Sequence, residues 1–417
     1  MWISEAAHCS DNEKSEASKM LIGLLSSVAG FVRVRYLVDR ADIDNSVFRL
    51  HYRFTSAIFF GACMIMSAYD MFGSPIDCVM DDDFARPEVI NTYCWISYTF
   101  TLPGLAGRKV GQEVAYPWTG PGDDGERRIH SYYQWVPFVV FLQGVLFYLP
   151  HQIWKQFENG WTNNITDGSR GFMSCHSDDR RSRSLALSEY LQDTLQSHGR
   201  LALMYIFCEV LNLANVLANI FLIDRFLGGA FLDYGTRVLQ MSNTDQELRS
   251  DPLIEVFPRM TKCNFHKYGP SGSIQKHDAL CLLSLNIFNE KLYIFLWFWL
   301  IVLAVISGLI VLYRLLVIVS PAARLHALRR RTKTPLSVSE TVVRRVAYGD
   351  FFTLTLLSKN LEGFLFNDLM EDLAARFTGH HDDSKASSLS KDTAHLESAP
   401  ILNRWTPTTD GHQPPPT

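Results

Sequence analysis

Residues 292–319 are the part of the sequence that most constrains the fold of this chain. They read LYIFLWFWLIVLAVISGLIVLYRLLVIV and include one charged residue, Arg314. A helix of roughly 20 mostly apolar residues crosses the hydrocarbon core of a bilayer. Similar windows lie at residues 52–72, 132–154 and 201–227, although polar residues in the first and third also suit a buried helix of a soluble protein. The sequence predicts an all-α membrane protein with four transmembrane helices.

Lys and Arg beside these windows predict the orientation of the chain, because cytosolic flanks carry the excess of both residues. One side of the membrane has Arg40, Arg49, Lys155, Arg200, Arg324, Arg329, Arg330, Arg331 and Lys333. The other side has fewer beside the windows, among them Arg86, Arg127, Arg128, Arg237 and Lys276. No signal-peptide pattern precedes residue 52. We therefore expect cytosolic N- and C-termini.

This orientation assigns each remaining segment to one side of the membrane. The expected cytosolic segments are residues 1–51, 155–200 and 320–378, and the expected extracellular loops 1 and 2 are residues 73–131 and 228–291. Helices in residues 320–378 are expected to form a cytosolic dome together with the 155–200 loop. Residues 379–417 are rich in Ser, Asp, His and Pro, a composition that predicts a disordered tail.

Four cysteines fall in the two extracellular loops, where oxidising conditions permit disulfides. Cys78 and Cys94 lie in loop 1, and Cys263 and Cys281 lie in loop 2. Four cysteines allow three connectivities. One of them keeps each bridge within a loop, and the other two tie the loops together. Spacing does not choose among the three.

Charge and motif content exclude several classes of function. The net charge of −4 argues against a nucleic-acid partner, which favours a basic face. The sequence contains neither a catalytic or metal-ligating constellation nor a glycine loop for phosphate. We therefore expect no enzymatic activity and no cofactor.

The third window carries a polar stripe at helical spacing, formed by Glu209, Asn212, Asn215 and Asn219. Steps of three, three and four residues place these side chains on one helical face. Such a face is expected to meet protein or water rather than lipid. The stripe either lines a pore or forms hydrogen bonds between helices, and we favour the second interpretation.

The second window opens with an unusual cluster, YYQWVP, formed by Tyr132, Tyr133, Gln134, Trp135, Val136 and Pro137. Tyr and Trp rings are typical of the boundary between water and lipid. Pro137 is predicted to lie one turn inside the helix and to kink it, with the Gln134 amide satisfying the freed carbonyl. His151 and Arg314 are expected to reach the membrane interface from near the ends of their windows.

The cluster and several other stretches together resemble one family, the innexins, which are gap-junction channel proteins of invertebrates. The sequence is most similar in character to the innexins of insects. YYQWV is the signature of that family. The other similar stretches are IDNSVFRLHYRFT, GSPIDC, NTYCWISYTFTLP, CEVLNLANV, FPRMTKCNFHKYGPSGSIQKHDALCLLSLNIFNEKLYIFLWFW and GDFFTLTLLSKNLE. The resemblance covers roughly residues 20 to 370.

The resemblance implies an assembly and a disulfide pairing. Innexin subunits form a ring-shaped oligomer around a wide pore, an octameric hemichannel, with homomeric or heteromeric subunit composition. Two hemichannels on facing cells dock through their outer loops. The implied disulfides tie loop 1 to loop 2, Cys78 to Cys281 and Cys94 to Cys263, and the loops are expected to contain some β structure.

The resemblance also indicates candidate pore residues. Met20-Leu21 matches the usual start of an innexin, so that residues 1–19 are an atypical extension and the protein starts at either Met1 or Met20. In the family this N-terminal segment folds into the pore. Asp77 and Asp81 follow the first window, and a ring of carboxylates there would attract cations, although we favour a solvated loop.

The leading functional hypothesis is a plasma-membrane, multi-pass subunit of an intercellular channel at gap junctions, with the lipid bilayer and other innexin subunits as partners. The first alternative is an unpaired hemichannel that releases small molecules such as ATP. The second alternative is a non-conducting junctional adhesion component that uses only its outer loops. The sequence does not distinguish permeant selectivity, gating stimulus or tissue.

Overall fold

The computed structural model describes residues 41–80, 87–105, 108–114, 116–120, 126–167, 177–241 and 252–379. Met20, Leu21 and Asp81 lie outside these described residues. By contact, the chain divides into two compact units. The first contains residues 1–167 and 198–320, and the second contains residues 168–197 and 321–417.

Four helices of the first unit are long and apolar enough to cross a membrane, as the sequence predicts. They are α1 (Ser46–Phe72), α3 (Val136–Glu158), α6 (Gly199–Phe226) and α9 (Ser284–Val319). The helices α1 and α9 begin before the predicted starts at residues 52 and 292, because helical hydrogen bonding continues into polar sequence outside the apolar windows. Within α1, residues Leu50–Thr55 form a π-helical turn, a feature often found at functional positions.

The remaining elements of the first unit lie in the loops between these helices. The short helices are α2 (Pro87–Ile96), α4 (Trp161–Thr166), α7 (Phe231–Met241) and α8 (Pro252–Val256). The strands are β1 (Asp77–Val79), β2 (Thr99–Thr101), β3 (Arg128–His130), β4 (Met260–Tyr268) and β5 (Ile274–Leu282). They form one sheet in the order β1-β5-β4-β2-β3, with every pairing antiparallel. The two predicted outer loops therefore share a single sheet.

The long helices pack around one apolar core. Phe59 of α1 stacks on Phe147 of α3 with the ring centres 5.4 Å apart, and neither side chain is exposed. Ser56 donates a hydrogen bond of 3.1 Å to the carbonyl of Gly144. Small residues at such a crossing let two backbones approach closely, which fixes α1 against α3.

The predicted kink at Pro137 is wrong. The signature begins with a 3-10 turn at Tyr132–Gln134, and α3 starts only at Val136. Pro137 therefore occupies the first helical turn, where a backbone N–H has no partner within the helix and proline is well tolerated. The proline inside α3 is Pro150, which the sequence analysis did not single out.

A close contact between α7 and α9 depends on Gly235. The indole of Trp297 donates a hydrogen bond of 3.1 Å to the carbonyl of Leu232. Its ring covers the α7 backbone so closely that a Cβ atom on Gly235 would lie 2.2 Å from a ring carbon. Only glycine permits this packing.

Replacing Gly235 with Ala is expected to displace Trp297 and to destabilise the protein by about 1–3 kcal/mol, the usual cost of overpacking. The measurement is the melting temperature of the purified protein in detergent. Gly308→Ala in α9 is the control, because a Cβ at Gly308 meets no atom within 4 Å. Equal melting temperatures for the two variants would contradict the contact described above.

The second unit is helical, as the sequence predicts for residues 320–378. It contains α5 (Ser177–Asp193), α10 (Pro321–Arg329), α11 (Leu336–Arg345), α12 (Tyr348–Asn360) and α13 (Gly363–Thr378). Ion pairs join α5 to α13, with Arg180 2.9 Å from Asp368 and Arg181 2.9 Å from Asp372. The buried Ser184 hydroxyl donates a hydrogen bond of 2.5 Å to Asp372. The segments at 177–193 and 321–379 thus fold together although they are distant in sequence.

Candidate functional site

Two disulfides join the outer loops to each other. Cys78 of β1 is bonded to Cys281 of β5, and Cys94 of α2 is bonded to Cys263 of β4. This is the pairing that the family resemblance implies. Cys94 and Cys281 are fully buried, in a small apolar core beneath the sheet that also contains Ile76, Ile90, Tyr133, Cys263, Ala279 and Leu283. The bridges and this core hold the two loops together as one rigid body.

The five-stranded sheet, α2 and the two disulfides are called the outer body below. The signature residues connect this outer body to the second long helix, α3. The Tyr133 hydroxyl donates a hydrogen bond of 3.2 Å to the carbonyl of Cys94. The Gln134 amide donates to the carbonyl of Trp95. The prediction that Gln134 satisfies a carbonyl freed by Pro137 is therefore wrong. The Tyr133 and Gln134 side chains thus attach the segment before α3 to the backbone at the disulfide-bonded Cys94.

Tyr132 performs the same role toward loop 2. Its hydroxyl donates 3.2 Å to the carbonyl of Val256 and accepts a hydrogen bond of 3.2 Å from the Asn286 amide. The expected membrane-boundary role fits only Trp135 of the three rings, which is 62% exposed, whereas Tyr133 is 1% exposed. The signature is mainly a set of buried hydrogen bonds between loops.

The candidate pore acids are only partly described. Asp77 lies in β1, paired in register with Leu282, and its side chain is exposed. It has the accessibility that either a pore-mouth carboxylate or a solvated loop residue requires. The other candidate pore acid, Asp81, lies outside the described residues.

The polar stripe on α6 is buried among helices of the same chain. Glu209 and Asn212 are 5% and 3% exposed. Arg314 of α9 donates two hydrogen bonds to the Glu209 carboxylate, of 2.7 and 2.8 Å. The Asn45 amide donates a third, of 2.8 Å. These contacts are hydrogen bonds between helices, and the Arg314 side chain, expected to reach outward near the end of its window, is instead paired with Glu209.

Asn215 meets the carbonyl that Pro150 leaves without a partner. A proline removes the N–H that would bond the carbonyl four residues earlier, which here belongs to Leu146. The Asn215 amide donates a hydrogen bond of 3.2 Å to that carbonyl. Asn219 in turn donates to the Asn215 carbonyl at 2.8 Å. The stripe on α6 thus stabilises the proline-containing segment of α3, a role invisible in either segment alone.

His151 also lies in the interior rather than at the membrane boundary. Its ring is stacked on Tyr52 with the centres 3.6 Å apart. Its Nδ1 atom lies 3.7 Å from an Asp44 carboxylate oxygen, and both side chains are buried. His151 of α3 is therefore packed against α1 and is 6% exposed.

A second buried ion pair, absent from the sequence analysis, lies at the base of loop 2. Arg259 donates two hydrogen bonds of 2.9 Å to the carboxylate of Glu290, which is fully buried at the start of α9. Lys291 lies 2.6 Å from the same carboxylate. The sequence signal was a lone acid inside a long helix, which is expected to have a basic partner. This pair fixes the start of β4 to α9.

A buried histidine belongs to the outer sheet. His130 of β3 is 3% exposed, and its Nε2 atom lies 2.8 Å from the Thr101 hydroxyl on β2. Burial, with the positive charge of Arg128 as a second cause, lowers the pKa of His130 to about 4. The neutral ring is therefore the form that the sheet accommodates at neutral pH.

Acidification is expected to destabilise this sheet. An unfolded histidine binds a proton near pH 6.5, whereas folded His130 does so only near pH 4, so stability is complete above the higher value and falls as pH decreases toward the lower one. The loss is about 2 kcal/mol at pH 5. Melting temperatures of wild type and His130→Gln between pH 7 and 5 measure it, and the variant should show the weaker pH dependence. Parallel curves would contradict this assignment.

Comparison with known proteins identifies the family. Residues 44–377 match the family model described as Innexin. The chain is 50% identical over 370 residues to innexin inx3 of Drosophila melanogaster, covering 88% of this chain and 93% of that protein. It is 43% identical to innexin inx1 of Schistocerca americana, covering 80% and 92%, and 42% identical to innexin shaking-B of Drosophila melanogaster, covering 84% and 95%. The chain belongs to the innexin family, whose members form gap-junction channels.

Proposed function

We propose that this chain is a subunit of an intercellular channel, in which two hemichannels on facing cells dock and pass ions and small molecules between their cytoplasms. The observation that carries the proposal is the outer body, one sheet built from both loops and closed by two disulfides. Docking requires a rigid surface, because a flexible loop loses conformational entropy on contact.

The proposed topology follows the distribution of charge. The four long helices cross the plasma membrane, both termini and the second unit are cytosolic, and the sheet is extracellular. Eight copies form the ring, either of this chain alone or with other innexin subunits. Met20 and Leu21 are proposed to face the permeation path at its cytosolic end, on family resemblance alone, whereas Asp77 and Asp81 are assigned to a solvated loop.

We place the docking contact at the tip of the β4–β5 hairpin. The last cross-strand pair of the hairpin is Tyr268 with Ile274, and these side chains are 74% and 67% exposed. Two apolar side chains that lie side by side at the exposed end of a hairpin are available for contact with a facing protein. The sheet below the pair is fixed by the Cys94–Cys263 bridge.

Paired-cell electrophysiology tests this function. Current between two expressing cells supports the proposed intercellular channel. Large-pore current in single cells, without junctional current, would instead favour the hemichannel alternative. Neither current, at normal surface expression, would favour a non-conducting adhesion component.

Replacing Tyr268 and Ile274 together with Asp is expected to abolish junctional current, because repeated carboxylates from two rings would repel one another and lose apolar contact. Hemichannel current in single cells should persist, since the change lies outside the folded core. Ser271→Asp/Ser273→Asp at the turn is the charge-matched control and is expected to have a smaller effect. Full junctional current in the Tyr268 and Ile274 variant would place docking elsewhere.

A further inference from the structure

A basic patch, defined here as Arg329, Arg330 and Lys333, lies on the second unit just after α9. Residues 321–339 contain five Lys and Arg residues and no Asp or Glu. The three side chains are exposed, and within the described residues none of them has an ion-pair partner. The fourth cation of the run, Arg331, is held by the carbonyl of Thr355 at 3.3 Å.

Among the described residues of this unit, several acidic groups already have other partners. Asp368 and Asp372 pair with arginines of α5. Glu340 pairs with Arg344 at 2.6 Å, and Asp350 accepts the backbone N–H of Gln196. Within the described part of the chain, the three cations of the patch are therefore exposed without an ion-pair partner.

Chain connectivity keeps this charge near the end of α9, a helix long and apolar enough to cross a membrane. The last turns of α9 expose Leu315, Leu316 and Val319 at 52%, 55% and 79%, so the apolar surface that lipid covers continues to the end of the helix. Only Ser320 separates α9 from α10. A nine-residue helix is about 14 Å long, which limits the distance of Arg329 and Arg330 from the end of α9.

The exposed side of α10 carries part of the patch. Ala322, His326 and Arg329 are exposed at helical spacing and Arg330 directly follows the helix, while Leu328 is buried on the other side. One small residue, one histidine and two arginines on one face suit a surface of phosphate groups and not an apolar protein groove. The inner leaflet carries anionic lipid, and each Lys or Arg at its surface strengthens binding about fivefold.

We propose that the basic patch binds the headgroups of anionic phospholipids in the inner leaflet. The proposal rests on the proposed cytosolic location of the second unit and goes beyond channel formation. Binding is diffuse and electrostatic, so charge matters and the identity of the cation does not. It fixes the start of the second unit against the membrane surface.

The test uses the full-length protein in detergent and fluorescent short-chain phosphatidylserine, with phosphatidylcholine of equal chain length for comparison. Fluorescence anisotropy is expected to show tighter binding of phosphatidylserine by at least tenfold at low salt. The preference should fall steeply toward 1 M salt, where the screening length shrinks to ~3 Å. Equal binding of the two lipids would overturn the proposal.

Two triple variants at the same positions separate charge from fold. Arg329→Gln/Arg330→Gln/Lys333→Gln is expected to weaken phosphatidylserine binding roughly a hundredfold. The charge-preserving variant Arg329→Lys/Arg330→Lys/Lys333→Arg is expected to bind like wild type. Loss of binding in the charge-preserving variant, or unchanged binding in the Gln variant, would overturn the proposal.

A final arm distinguishes lipid from free anions. Glycerophosphoserine, the soluble headgroup, is expected not to displace the lipid at equal concentration, because the apolar chains hold the headgroup at the surface. Displacement by the soluble headgroup would show that a small anion is the ligand and would overturn the lipid assignment. Because these measurements require no current, they remain informative even where paired cells show no coupling.

Discussion

Cells that express the Cys94→Ser variant are expected to lose dye transfer to their neighbours. The Cys94–Cys263 bridge connects residues 169 positions apart and fixes α2 to the strand that carries the docking hairpin. Removing a native disulfide costs about 2–5 kcal/mol. Here the loss falls on the outer body, so that under the proposed function the hairpins of two facing rings no longer present matching surfaces. Dye transfer between paired cells, with surface biotinylation alongside, measures the effect.

The control is another cysteine of the same protein. Cys63 of α1 is free, and Cys63→Ser is expected to leave coupling unchanged. The double variant Cys94→Ser/Cys263→Ser is expected to fail like the single one, because it lacks the bridge but leaves no unpaired thiol. Recovery of coupling in the double variant would show that the loss of dye transfer comes from an unpaired thiol. It would contradict the role assigned to the Cys94–Cys263 bridge. So would coupling by Cys94→Ser at normal surface expression.

The membrane helices could be predicted from sequence because hydropathy is a local property. Each apolar window contains its own evidence, and residues 292–319 need no knowledge of the rest of the chain. The helix starts could not be predicted so well. Ser46 and Ser284 begin their helices in polar sequence that is stabilised by contacts with loops, which no window average contains.

The disulfide pairing shows the opposite case. Spacing leaves three connectivities open, because the choice depends on which strands lie side by side. In the sheet, Cys78 is directly opposite Cys281 on β5, two residues separated by 203 positions. Only the family resemblance supplied that information before the structure did.

The two prolines of α3 mark the limit of local interpretation. Counting from the start of the aromatic cluster places Pro137 one turn inside the helix and predicts a kink there. The 3-10 turn instead shifts the helix start to Val136. Pro150 has the stronger effect, since its missing hydrogen bond is replaced from another helix by Asn215. No pattern within residues 132–154 indicates that partner.

Replacing Arg314 with Met is expected to destabilise the protein by about 3–5 kcal/mol, because it leaves a buried carboxylate uncompensated. Glu209 is 4% exposed in its side chain and accepts two of its hydrogen bonds from Arg314. Methionine keeps the apolar length of the side chain, so the loss reports charge and hydrogen bonding, not volume. Surface expression and the melting temperature in detergent are the measurements.

Two further variants determine whether the pair or its environment matters. Glu209→Met/Arg314→Met removes both charges and is expected to recover most of the stability, since apolar replacements of buried pairs are often neutral. Arg344→Met breaks the pair with Glu340, whose members are 75% and 43% exposed, and should cost no more than about 0.5 kcal/mol. If Arg314→Met and Arg344→Met have equal effects, the α6–α9 pair does not hold these helices together, and the polar stripe needs another explanation.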